Sequence, residues 1–374
     1  MTQLLPARLT PLDVALRLLL EGVNPVEPID AWLADSVGGI AAEVAPLRTA
    51  HPVFSIAVAD GWAMRSRDVT GASSYSPLPL SVPPVWVEAG DRLPEHCDCV
   101  VDADLIEQTG SIFQILAEAT PGHGIRRAGN DIAAGRLVIE SGRQVNAFDS
   151  LVLRAVELDR IPVRSPRVCI IDVISTDGST ASSQFAMGFA KAAGARVFGV
   201  QTKGRDAASI SAEVGECACD LLITVGGTGV GRTDATIEAL TTQGTILAHG
   251  LALQPGRTAA VARVGATPVI AAPGAPEQAL AVCLMLMNPA LDRLTGRSPR
   301  RQIVRPLARK ISSSIGVAEI VLLEAQDDKW MPIAAGQFSL DAIVRSEAWL
   351  AVPGDSEGYP AGTAVGAFPL RDMT

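Results

Sequence analysis

Aromatic residues make up only 4% of this 374-residue chain, against 48% hydrophobic residues overall. The core must therefore be built from Ala, Val, Leu and Gly, a composition that suits closely packed α/β units. Positive charge is also short. Lys and Arg number 31 against 40 Asp and Glu, giving a net charge of −9, and the pI is about 5.1. That balance argues against a general nucleic-acid partner. No apolar run reaches the length of a membrane span. The opening residues, Met1 to Pro6, lack the basic region, apolar core and cleavage site of a secretion signal, so the expectation is a soluble cytoplasmic protein. Cysteine is sparse as well. Cys97/Cys99 and Cys217/Cys219 form two Cys-x-Cys pairs, with Cys169 and Cys283 apart. Neither pair has the Cys-x-x-Cys spacing of a zinc knuckle and only His96 lies near one, so ordinary thiols are expected rather than a metal site. No internal repeat or low-complexity tract stands out.

What is present is organised around residues 220–234. Apolar and β-branched residues from Leu221 to Val225 run into Gly226 and Gly227, then Gly229 and Gly231, and Thr233-Asp234 lead into a helix-like stretch from Ala235 to Leu240. This reads as buried strand, glycine turn and helix start. Such a turn can present N–H groups to a phosphate, or it can simply close a βα unit. The spacing is not the dinucleotide fingerprint, and no Gly-Lys-Ser/Thr follows, so a nucleotide P-loop is excluded.

The length calls for two to four domains. Residues 8–46 have helical periodicity, with Leu12, Ala15, Leu16, Leu19 and Leu20 in one stripe and a second short helix at 31–37. Residues 51–145 are β-rich, with short strands expected at 85–88, 99–102, 113–116 and 136–139. Within them Asp60-Gly61 marks a hairpin corner, or a carboxylate left open to a ligand or metal by the missing side chain next to it. Arg126, Arg127 and Asp131 form a structural ion pair or an anion site. A helix is expected at 147–156. From Val168 strands and helices alternate. Strands fall at 168–174, 196–200, 221–225, 245–253, 259–263 and 268–271, and helices at 179–193, 207–217, 235–241 and 276–294, the pattern of a doubly wound, mostly parallel sheet. Ligands of such sheets sit beyond the strands' carboxyl ends, where three turns meet: Ser175-Thr176-Asp177-Gly178, Gly226 to Gly231, and Pro273-Gly274-Ala275-Pro276. The expected protein is thus α/β and multidomain. An extended N-terminal helical and linker domain takes residues 1–50 plus 146–165, a β-rich domain 51–145, the α/β domain 166–297, and a small C-terminal β domain 298–374.

Several motifs fall in an order that resembles the molybdopterin molybdenumtransferases, the MoeA and gephyrin E-domain family. They are Ala57-Val58-Ala59-Asp60-Gly61-Trp62-Ala63, Ala89 to Pro94, Ile125 to Ile132, Ser175 to Thr180, Gly226-Gly227-Thr228-Gly229-Val230-Gly231-Arg232-Thr233-Asp234, Gln254 to Thr258, and Pro273 to Pro276. The likeness covers nearly the whole chain. It implies insertion of molybdate into adenylylated molybdopterin with release of AMP, in molybdenum cofactor biosynthesis. It further implies magnesium, a homodimer, and a molybdoenzyme or another cofactor-biosynthesis protein as partner. The carry-over makes Asp60, Asp131 and Asp234 catalytic, Asp60 and Asp234 metal-binding, and Ser175, Thr176, Gly226, Gly227, Thr228, Gly229, Gly231, Pro273, Gly274 and Pro276 the cradle for the pterin phosphate.

The chain also departs from that pattern. Ser179 replaces the glutamate of the first turn, Asn130 the glutamate before Asp131, Gln254 the lysine of Lys-Pro-Gly, and Gly229 and Ala275 the serine and asparagine of their loops. A second family lysine falls near Gly250, beside His249. Arg257 returns one positive charge. The three aspartates favour an enzyme. The lost lysines and glutamate favour a pterin or cofactor carrier that kept the fold without the chemistry. An unrelated sugar-phosphate or nucleotide binder on the same sheet is a third reading.

Overall fold

The computed structural model describes residues 5, 6 and 8–371. The chain forms two compact units, one of Met1–Glu43, Glu140–Ser150 and Asp159–Thr374 and the other of Val44–Ile139 and Leu151–Leu158, where the sequence suggests four segments.

The first unit is built on a six-stranded sheet. Its strands are β1 (Arg167–Asp172), β2 (Arg196–Gln201), β3 (Leu221–Val225), β4 (Thr245–His249), β5 (Ala260–Val264) and β6 (Thr267–Ala272), in spatial order β2-β1-β3-β6-β5-β4. The first four of that order run parallel, and β5 and β4 close the edge antiparallel. Helices α1 (Ala181–Ala192), α2 (Ala207–Glu216), α3 (Thr236–Gln243) and α4 (Pro276–Val282) cover it. The apolar runs of β1, β3 and β6 supply both faces, as buried inner strands must. Val168 and Ile170 share one core with Leu12, Ala15 and Leu19 of the helix Leu12–Leu20 and with Phe189 of α1. Cys169 and Ile171 face Ile210, Val214, Ala239 and Leu240 of α2 and α3.

Three local expectations change here. The strand expected to run from 245 to 253 stops at His249, because the chain turns at Gly250 with φ +77°, and Leu253–Gln254 pairs instead with Ala318–Glu319. The last helix is interrupted by a π-helical turn at Cys283–Met287 before resuming at Asn288–Thr295. Pro289 has no N–H for the i−4 carbonyl, and a wider turn accommodates that loss. The second short helix shrinks to Leu33–Ser36, because Ile29–Trp32 is drawn into a strand beside Arg160–Arg164. The C-terminal segment makes a sheet on the same core. Ala318, Ile320 and Leu322 join the main core, and Val321 and Leu323 face a second one with Leu307, Trp330 and Leu350.

In the second unit Gly61–Met64 lies between Val85–Val87 and Cys99–Val101, and Ile112–Ile115 lies between Leu78–Pro79 and Ile106–Thr109. Trp62 packs edge-on to Trp86 and Phe113, 5.2 and 5.7 Å between ring centres. The strand expected at 136–139 does not form. That stretch pairs with no strand, and the Arg136 carbonyl accepts from the Leu47 amide.

Candidate functional site at the sheet edge

A cavity of about 490 Å³ opens beyond the carboxyl ends of β1, β3 and β6. It lies at the switch point, where the chain leaves β1 for β2 on one side and later returns to β3 on the other. The three turns singled out in the sequence converge on it through Ser175, through Gly226, Gly227, Thr228 and Gly229, and through Pro273, Gly274 and Pro276. Asp234 lines it too, while Thr176 and Gly231 are not among its lining residues. Asp177 and Thr258, which lie within motifs read from the sequence, also line it, as do Asp172, Ser182, Ser183 and Arg205, which the sequence did not single out. Ser182 and Ser183 stand in the first turn of α1, a position that a helix beginning after the first loop already implied.

The glycine turn is held from within. Gly226 and Gly227 have φ +103° and +67°, conformations that glycine takes without strain. The Gly226 amide donates to Ala272 O at 2.8 Å, and the Thr236 hydroxyl donates to Gly226 O at 2.8 Å. The Gly231 amide donates to Asp234 Oδ2 at 2.9 Å. Two of the N–H groups expected to face a phosphate are thus already satisfied, one by the end of β6 and one by Asp234. Nor does Asp234 cap the helix, since α3 begins at Thr236 after an Ala235 cap without a side-chain bond. Instead its other oxygen accepts from Arg205 Nη2 at 3.3 Å. An added Cβ at Gly229 would stand 2.7 Å from Asp234 Oδ2, so glycine in place of the family's serine leaves room for this turned-back carboxylate.

The remaining polar groups are also tied. Asp177 accepts from the Ser175 hydroxyl at 2.7 Å and the Ser179 amide at 3.0 Å, and these bonds hold its carboxyl below the ordinary range. Asp172 accepts from Gln201 at 2.9 Å. Ser182 donates to Gly274 O at 2.7 Å, which fixes the Pro273–Pro276 turn against α1. Behind the glycine turn, His249 Nε2 lies 3.2 Å from Thr228 O, and burial lowers the imidazole pKa from its usual 6.5.

A second cavity of about 570 Å³ adjoins the first through Thr258 and Gln278 and contains Gln254 and Arg257. The charge that Arg257 returns therefore lies in the neighbouring cavity. At Gly250 a Cβ would stand 2.9 Å from Pro6 Cδ and 3.2 Å from a Leu5 methyl, so this chain's own N-terminal residues fill the space beside the second lost lysine.

In the second unit Asp60 accepts from the Ala89 amide at 2.8 Å and Asp131 pairs with Arg126 at 3.2 Å. Gly61 answers a steric need. A Cβ there would run into the Val101 carbonyl oxygen of the neighbouring strand. Among the cysteines, Cys169 and Cys217 are brought together by β1 and the end of α2, their Cα atoms 6.6 Å apart. Cys97, Cys99, Cys219 and Cys283 are free, and burial together with Asp98 pushes the Cys99 thiol up to about 12. Among the described residues no three His, Cys, Asp or Glu side chains gather as a metal site, and no helix is long and apolar enough to cross a membrane.

Comparison with known proteins gives the same picture along the chain. Residues 10–156 match the model of the MoeA N-terminal region, domains I and II, and residues 172–293 match that of a probable molybdopterin binding domain. A putative molybdopterin biosynthesis protein of Methanocaldococcus jannaschii is 23% identical over 97% of this chain and 98% of its own length. Molybdopterin molybdenumtransferase 2 of Mycobacterium tuberculosis is 29% identical over 75% of this chain and 78% of its own. The crystal structure of the molybdopterin biosynthesis MoeA protein of Pyrococcus horikoshii shares the fold, with a TM-score of 0.68 at 23% identity, over 97% of this chain and 100% of that one. With both models matched in order and the fold shared from end to end, the chain belongs to the molybdopterin molybdenumtransferase family of MoeA and gephyrin E-domain proteins.

Proposed function

We propose that this protein is a molybdopterin molybdenumtransferase, which inserts molybdate into adenylylated molybdopterin and releases AMP. The observation that carries the reading is the convergence of the three predicted turns on one cavity of about 490 Å³, within the range of small-molecule sites. Its chemistry suits a phosphorylated pterin. Asp172 and Asp177 can accept from the amino and ring N–H groups of a pterin. The N-terminus of α1, without a side-chain cap, can face a phosphate. Ser175, Thr176, Gly226, Gly227, Thr228, Gly229, Gly231, Pro273, Gly274 and Pro276 form the proposed cradle. Asp60, Asp131 and Asp234 are the proposed catalytic carboxylates. Of the four segments read from the sequence, 166–297 is the one proposed to hold the pterin.

The residues do not fit magnesium as arranged. Both oxygens of Asp234 are engaged, by Arg205 and the Gly231 amide, and Asp60 is bonded to the Ala89 amide. The resemblance also supports a cytoplasmic homodimer that passes its product to a molybdoenzyme, and light scattering on the purified protein tests the dimer.

The deciding experiment supplies purified protein with adenylylated molybdopterin and molybdate, with and without magnesium, and scores reconstitution of an apo-molybdoenzyme. Turnover above the no-protein control is expected. Asp234→Asn should lower it on the order of 100-fold with folding intact. Saturable pterin binding without turnover would replace this reading with that of a carrier.

A further inference from the structure

We propose that Arg205 is the phosphate anchor of this cavity, and that its pairing with Asp234 stands in for a divalent cation, so that a phosphorylated pterin binds without magnesium. The inference deepens the function proposed above and rests on it for the identity of the ligand.

Charge placement leads to it. The positions where the family carries lysine are closed to that role here, since Gln254 is neutral and Gly250 is backed by Leu5 and Pro6. Arg257 opens into the neighbouring cavity. Among the described residues, Arg205 is the only cationic side chain lining the sheet-edge cavity. Its partners fix it without exhausting it. Nη1 donates to Ile174 O at 2.7 Å, Nη2 donates to Asp234 Oδ1 at 3.3 Å, and buried Nε has no acceptor among the described residues. A guanidinium carries five N–H donors, so each Nη retains one for an incoming oxyanion. Holding the fork in advance is what makes charge-assisted binding of a phosphate effective.

The neighbouring groups bear on the sign of the field. Three carboxylates share the wall, those of Asp172, Asp177 and Asp234. Asp234 is compensated by Arg205 itself at 3.3 Å. Asp177 is satisfied by Ser175 and Ser179, and Asp172 by Gln201. The last two suit the donor groups of the pterin ring, while the phosphate lies between Arg205 and the first turn of the twelve-residue α1. A metal ion would have to displace the guanidinium from Asp234 to reach it. Gly229 is what permits this arrangement, because a Cβ there would crowd Asp234 Oδ2 at 2.7 Å.

The test uses the full chain and two fluorescent probes, hydroxymethylpterin phosphate and hydroxymethylpterin, titrated in excess magnesium and in EDTA. The wild-type protein should bind the phosphorylated probe with the same affinity in both buffers. Arg205→Gln should weaken that probe by about tenfold or more and leave the unphosphorylated one unchanged. Arg205→Lys, which keeps the charge without the fork, should fall between. Loss of wild-type binding in EDTA overturns the substitution for a metal, and this arm needs no variant to fold. Equal binding of the phosphorylated probe by folded Arg205→Gln or Arg205→Lys protein overturns the anchor. Failure of the wild type to bind either probe in either buffer overturns the pterin reading of the cavity, and the anchor falls with it.

Discussion

The glycine turn of the first unit and the Asp60-Gly61 turn of the other unit share a sequence feature, an aspartate close to glycine. Their glycines serve different ends. Gly61 sits inside a three-stranded sheet, where the space for a side chain is taken by the Val101 carbonyl. Gly229 sits on a loop over a cavity, where the space is taken by the movable carboxylate of Asp234. One glycine is required by the backbone of its neighbour and the other by the orientation of a functional group. An aspartate close to glycine is therefore a signal of close approach, and only the fold shows what approaches.

Substitution separates the two cases. Gly61→Ala should cost roughly 3 kcal/mol, the penalty of overpacking against a backbone that cannot yield, whereas Gly229→Ala should cost under about 1 kcal/mol because a side chain can give way. Gly229→Ala should instead turn Asp234 off Arg205 and reduce turnover. Urea denaturation of both variants checks the contrast, and equal losses of stability would remove it. A smaller effect is expected at Asp60. Asn keeps an oxygen for the Ala89 amide, so stability should change by less than about 0.5 kcal/mol. Turnover should fall about tenfold or more if the carboxylate acts in the reaction, and unchanged turnover would leave Asp60 as a turn residue alone. The smallest effect concerns pH. Burial depresses the His249 imidazole below 6.5, so the unfolded chain takes up the proton first. Its contribution is whole above pH 6.5 and is lost as pH falls through the folded value. His249→Gln should flatten the stability profile in that acidic window, at a cost of about 1 kcal/mol or less at neutral pH. An unchanged slope in denaturation series would exclude His249 as its source.

Much of the α/β sheet was legible because its inner strands β1, β3 and β6 are buried on both faces and read as apolar runs. Leu221–Val225 has the bounds that its sequence suggests. The stretch at 136–139, with Leu137, Val138 and Ile139 in a row, found no partner strand, and a strand exists only by pairing. Likewise Ile29–Trp32 left a helical pattern once Arg160–Arg164 was available to pair with it. That the turns at Ser175, Gly226–Gly229 and Pro273–Pro276 meet at one edge was legible, since a doubly wound sheet gathers such turns there. Arg205 was not, because it follows β2 in a loop with no motif of its own.

By itself, then, the sequence determined the alternation of strands and helices, the edge where the loops must meet, and the family. Burial and backbone periodicity are properties of neighbouring residues, and a chain carries them locally. Only the tertiary structure decided that Asp234 pairs with Arg205, 29 residues away, rather than capping α3, and that the space beside Gly250 is filled by Leu5 and Pro6. Those outcomes turn on where side chains from distant segments come to rest, and electrostatic partnership and steric exclusion act through space rather than along the chain.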